Sequence, residues 1–168
     1  MLSMKLKKLF IALIASVSLG ITNITFAGGS HDDSHGHEEF DPVDNEFGSY
    51  EPKMEVTRTI KIKMSDDMRF TPDNIVVKQG DVIKFVHKNK GKIMHEFVLG
   101  TPESLDEHAE MMKKFPNMEH SEPYMLHVAP GKKGQVTWKF DKPGVVSFGC
   151  LIPGHYDAGM KGTITVES

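Results

Sequence analysis

From Glu55 to Val166 the apolar residues come in short alternating runs broken by turn residues, and that period of two decides what the chain can fold into. Ile60, Ile62 and Met64 share one face of the first run, and Lys61 and Lys63 share the other. Successive side chains of a strand point to opposite faces, so such a run buries one face and wets the other. Thr71-Pro72-Asp73 and Gln79-Gly80-Asp81 bracket Ile75-Val76-Val77 and introduce the strand-like stretch Val82 to His87. A turn at Lys88-Asn89-Lys90-Gly91 leads into Ile93 to Leu99, and Ala129-Pro130-Gly131-Lys132 separates Tyr124 to Val128 from the row of Val136, Trp138 and Phe140. Val145 to Cys150 and Met160 to Val166 are the last two runs. The exception is Pro102 to Phe115, where Leu105, Ala109, Met112 and Phe115 recur near helical spacing until Pro116. Seven or eight short strands with one short helix around residues 102–116 predict an all-β domain, a sandwich or barrel, and rule out a helical bundle.

The alternating pattern occupies residues 55–168, and two segments of other character precede it. Lys5, Lys7 and Lys8 come before an apolar run from Leu9 to Leu19, followed by the small-x-small triplet Thr25-Phe26-Ala27. This reads as a signal peptide over residues 1–27, cleaved after Ala27 to leave an exported, periplasmic chain with no stable membrane insertion. The apolar run is shorter than the roughly 20 residues that a membrane-spanning helix needs. Residues 28–54 read as an acidic, histidine-bearing disordered segment and linker, with His31, His35 and His37 among aspartates and glutamates and little to bury. The formal charge is −3, and the three leader lysines take it further negative on cleavage. An acidic surface of this kind argues against nucleic acid, whose phosphates call for a basic patch.

An exported protein of this size often carries paired cysteines, but this chain has one, Cys150. It opens the segment Cys150-Leu151-Ile152-Pro153-Gly154-His155-Tyr156-Asp157-Ala158-Gly159-Met160. Thiolate, imidazole and thioether are soft to borderline donors that suit copper in both oxidation states. On one helix, spacings of five would set successive donors about 140° apart around the axis, whereas a loop rich in Pro and Gly can fold both ends onto one centre. Strand phase agrees. Cys150 continues the row of Val146 and Phe148, and Met160 continues that of Ile164 and Val166. A fourth donor is expected from another strand. His95 shares its phase with Ile93, Phe97 and Leu99, and a histidine in an apolar row is costly without a partner. His87, in phase with Ile83 and Phe85, is the rival for that role.

With the isolated His95 on a mid-chain strand and Cys150-x4-His155-x4-Met160 near the end, the chain resembles the cupredoxins, the small blue-copper proteins related to plastocyanin, azurin and auracyanin. The likeness runs over roughly residues 56–168, includes Asp73-Asn74-Ile75-Val76-Val77-Lys78-Gln79-Gly80-Asp81, and has its Cys-x-x-Pro-Gly-His in a form similar to azurin. It implies a Greek-key β-sandwich holding one type 1 copper through a trigonal Cys150, His95, His155 set and a weak axial Met160. Where many members of the family have Asn or Ser directly after the first ligand, bracing the ligand loop, this chain has Glu96.

Four donors fill the coordination sphere and leave no position for substrate, which points to one-electron transfer rather than catalysis. The resemblance implies that a redox partner docks near His155, on a flat patch of Pro153, Gly154 and Ala158, with the protein monomeric. Copper-containing oxidases and reductases of this fold flank the cysteine with histidines; here the flanks are Gly149 and Leu151, and no enzyme is expected. The alternative function is copper handling, sequestering copper or delivering it to a partner, with the histidine tail and a second cluster adding capacity. That cluster, His108, Met111, Met112, Met118, His120, Met125 and His127, suits additional, weakly bound cuprous copper, although methionines on a helix also serve as core filler.

Overall fold

The computed structural model describes residues 40–116, 118 and 120–168, so the expected signal peptide and the tail histidines lie outside the described residues. Eleven strands and one helix are found among them: β1 (Val43–Asn45), β2 (Gly48–Tyr50), β3 (Arg58–Ser65), β4 (Arg69–Thr71), β5 (Asn74–Lys78), β6 (Asp81–Asn89), β7 (His95–Gly100), α1 (Pro102–Lys114), β8 (Met125–Val128), β9 (Lys133–Phe140), β10 (Gly144–Gly149) and β11 (Lys161–Glu167). They form a six-stranded sheet in the order β1-β2-β9-β6-β3-β4 and a five-stranded sheet in the order β5-β11-β10-β7-β8. β3 runs parallel to β6 and β11 parallel to β5, while the remaining pairs are antiparallel. The strand phases read from the sequence hold, apart from that of Ile93. Ile62, Met64, Ile83, Phe85, Val136, Trp138 and Phe140 from one sheet meet Phe97, Leu99, Val146, Phe148, Ile164 and Val166 from the other in one continuous core.

The sheet begins earlier than the sequence pattern indicates. Residues up to 54 were expected to be linker, yet Val43–Asn45 and Gly48–Tyr50 form a hairpin, with Ser49 opposite Lys139 of β9. Phe47, at its turn, is buried and stacks on Trp138, whose indole N–H donates to the Phe47 carbonyl at 3.1 Å. Gly48 has φ +132°, and a Cβ there would lie 2.4 Å from the Trp138 ring nitrogen. Three-residue strands are too short to display alternation, which is why this hairpin reads as linker until Trp138 supplies the surface it covers.

Helix α1 covers the outer face of the second sheet. The Thr101 hydroxyl accepts the Ser104 N–H at 3.1 Å, Pro102 occupies the first turn, and Lys113 and Lys114 sit at the carbonyl end. Leu105, Ala109 and Met112 pack on Val98, Met125, Leu151 and Tyr156. This second cluster covers the outer face of β7, so every residue of His95–Gly100 is buried. Ile93 lies before the strand and is exposed, so it does not share the inward row as the phase predicted.

Candidate metal centre

Two strand ends and one loop build the site. β10 ends at Gly149, and the chain then loops from Cys150 to Met160 before β11 starts at Lys161. The loop is closed at its base, where the Cys150 N–H donates to the Met160 carbonyl at 3.0 Å and the Met160 N–H to the His155 carbonyl at 3.0 Å. Gly154 and Gly159 take φ of +88° and +95°, the left-handed region that lets so short a segment reverse. β7, beside β10, brings His95 to the same end of the sandwich.

One donor atom each from His95, Cys150 and His155 falls within 4.8 Å of the others. The His155 Nδ1 lies 3.3 Å from the Cys150 sulfur, and the His95 and His155 ring centres are 5.2 Å apart. Cys150, His95 and Met160 are fully buried and His155 is half-buried. The two backbone bonds just described tie the main chain of Met160, the fourth expected donor, to Cys150 and His155. His95 Nδ1 is buried with no hydrogen-bond partner. An orphaned ring nitrogen facing a thiol and a second imidazole fits a soft or borderline metal ion, which would supply the missing partner.

The surrounding groups hold these donors in place. Asp66 Oδ1 lies 3.0 Å from His95 Nε2, which directs the other ring nitrogen, Nδ1, to the site. Asp66 is itself fixed by the Lys92 N–H, which donates to Oδ2 at 2.7 Å and holds the carboxyl below its ordinary range, with His95 adding to the effect. Buried Asn89 donates to the Ile93 and Val128 carbonyls, both at 2.8 Å, and accepts the Gly91 N–H, pinning the approach to His95. Burial pushes the Cys150 thiol up to about 12 against the pull of the Glu96 and Ile152 N–H groups. Burial and the neighbouring His95 lower His155, so its ring is neutral at pH 7.

Glu96 replaces the expected bracing residue with a different device. Its N–H donates to the Cys150 sulfur at 3.3 Å, its Oε2 accepts the Leu151 N–H at 3.1 Å, and its Oε1 lies 3.1 Å from His127 Nε2. The loop is therefore braced directly after the cysteine by a carboxylate. Neither Asp66 nor Asn89 was singled out from the sequence. Asp66 lies in the turn after β3 and Asn89 ends β6 beside a turn-rich stretch, and only the fold brings them to His95.

His87 is not part of the site. Its ring lies against Phe97 at 4.2 Å and Phe85 at 6.3 Å, inside the sandwich. Among the described residues, the group of His, Cys and carboxylate donors close enough to hold a metal is His95, Cys150 and His155, without His87.

A Cβ at Gly91 would lie 1.7 Å from Asp66 Oδ1. Gly91→Ala should therefore displace the carboxylate from His95 and weaken metal affinity by about 10–100-fold, the usual cost of losing an outer partner of a ligand histidine. A competition titration checks this, and affinity equal to that of the parent would show that Asp66 does not orient the ring.

The comparisons with known proteins agree with this geometry. The family model described as copper binding proteins, plastocyanin/azurin family, matches residues 56–167. The copper-resistant cuproprotein CopI of Rubrivivax gelatinosus is 42% identical over 140 residues, covering 83% of this chain and 82% of that protein. The protein of the same name from Vibrio cholerae is 36% identical over 117 residues, 69% of each chain. Among solved structures, the dithionite-reduced auracyanin of Roseiflexus castenholzii superposes with a TM-score of 0.58 at 23% identity, over 68% of this chain and all of that one.

Proposed function

The chain belongs to the plastocyanin/azurin family of copper-binding proteins, and from that premise we propose that it is an exported copper protein of copper tolerance, holding one copper ion through His95, Cys150, His155 and Met160. The convergence of His95, Cys150 and His155 within 4.8 Å carries the ligand assignment, because His95 comes from a strand distant in sequence from the Cys150–His155 loop and presents an orphaned nitrogen. Met160 would complete the set as a thioether donor, its backbone bonded to Cys150 and His155 at the base of the loop. The role in tolerance rests on the relatives named copper-resistant cuproproteins, at 42% and 36% identity. Export rests on the charged and apolar leader of residues 1–27. No helix among the described residues is long and apolar enough to cross a membrane.

Copper bound here supplies a one-electron couple. The protein residues do the rest. Asp66 and the loop hydrogen bonds keep the donors in place, the core behind Cys150 excludes water, and the Glu96 N–H tempers the charge on sulfur. With four donors engaged, none of these groups is left to act on a substrate.

The same restraint of the donors favours a second reading, electron transfer. His155 is half-buried, and Pro153, Gly154 and Ala158 around it are exposed, which is the surface a redox partner would dock on. The two readings separate in a copper-sensitive bacterium that exports this chain. Restored growth at elevated copper, lost with Cys150→Ser, supports tolerance. Absence of rescue, combined with fast electron exchange that collapses in His155→Gly, would move the assignment to the carrier.

A further inference from the structure

His120 lies after helix α1, and both of its ring nitrogens are buried with no hydrogen-bond partner. A neutral imidazole carries one N–H and one bare nitrogen, so both are unsatisfied, an arrangement that proteins avoid unless a water or an ion completes it. The ring faces His108 of α1 with centres 4.7 Å apart and planes at 44°. The candidate copper ligands His95 and His155 sit in nearly the same relation, 5.2 Å and 56°. Met111 follows His108 by one helical turn, a spacing that brings side chains together on a helix face, and it is 47% exposed, so the core does not use its thioether.

We propose that His108, His120 and Met111 form a second metal site on this protein, selective for cuprous copper. Two imidazoles and a thioether are neutral donors of the softness that Cu(I) prefers, and hard divalent ions that require oxygen ligands are poorly served by them. Burial, then repulsion from His120, lowers His108, so its ring is a free base at neutral pH as a ligand must be. His87 also has two orphaned nitrogens, but the rings of Phe85 and Phe97 flank it.

The site is tied to the first centre without sharing a ligand with it. α1 packs on Leu151 and Tyr156 of the ligand loop, and the Tyr156 hydroxyl donates to Asp106 at 2.9 Å. The assignment stands whether the first centre carries electrons or protects against copper.

The test adds Cu(I) anaerobically, against a colorimetric cuprous chelator, to the full exported chain and to His108→Ala, His120→Ala and Met111→Leu. The tail histidines are common to all four proteins and cancel. The visible thiolate band after Cu(II) loading reports on folding and on the first centre. The expected result is one fewer Cu(I) bound by each histidine variant, Cu(I) affinity lowered about tenfold or more in Met111→Leu, and an unchanged visible band. The Met111 methyl resonance should also shift as the second equivalent of Cu(I) enters. Equal Cu(I) uptake by all four proteins would overturn the proposal. Should the histidine variants lose the band through misfolding, Met111→Leu on the exposed helix face decides, and affinity equal to the parent together with an unmoved methyl resonance overturns it.

Discussion

Cys150→Ser will abolish the intense visible absorption of the copper-loaded chain and lower copper affinity at the centre by more than about a hundredfold, beyond what loss of an outer partner costs. The thiolate is the only anionic donor among the four, and a serine hydroxyl does not deprotonate to replace it at neutral pH. Burial pushes the thiol up to about 12, because it disfavours the charged form more than the Glu96 and Ile152 N–H groups favour it. Copper binding must therefore expel the thiol proton at pH 7, while burial, which lowers His155, reduces the share of protons its ring releases. Affinity should rise with pH across the neutral range for the parent, and that dependence should flatten in Cys150→Ser. Titrations in two buffers of different ionisation enthalpy measure the released proton directly. A variant that keeps the visible band would remove sulfur from the ligand set.

The second large effect lies in the core. His87→Phe is expected to stabilise the copper-free protein and to flatten its loss of stability in mild acid. Burial drives the His87 ring down from 6.5 to about 3, so it stays neutral in the folded chain while the unfolded chain binds its proton below pH 6.5. The sign follows from linkage. A group protonated more readily in the unfolded state contributes stability that is fully present above 6.5 and drains away as pH falls towards 3. Across that window the loss is about 1.4 kcal/mol for each pH unit. Phenylalanine occupies similar space among Phe85 and Phe97 and removes two unpaired nitrogens, which adds on the order of 1–3 kcal/mol already at pH 7. Urea unfolding of the copper-free parent and variant at pH 7.5, 6 and 5 checks both parts. Parallel pH profiles for the two proteins would show that His87 finds a proton partner in the folded chain.

Much of the architecture was legible because strand alternation is local. A row such as Ile60, Ile62 and Met64 announces its buried face without reference to any other strand, and the partner rows Phe97 and Leu99 or Ile164 and Val166 do the same. Helix α1 was legible from the spacing of Leu105, Ala109 and Met112 and from the proline stop. The hairpin Val43–Tyr50 was not, since its strands are too short for a period and its stability comes from Phe47 lying on Trp138, 91 residues away in sequence. The histidines show the same division: both occupy inward rows, the resemblance favoured His95, and the fold sets His95 near Cys150 and His87 against Phe97 and Phe85.

The sequence by itself determined the all-β class, the strand faces and the set of donors offered by the loop, because period-two burial and ligand chemistry are properties of neighbouring residues. Only the tertiary structure decided that His87 is enclosed by Phe97 and Phe85, that Asp66 turns His95 towards the site, and that Glu96 braces the chain just after the cysteine. The last two of those decisions belong to contacts between residues 29 and 55 positions apart. A sheet assembled from strands distant in sequence creates such contacts, and no local pattern records them.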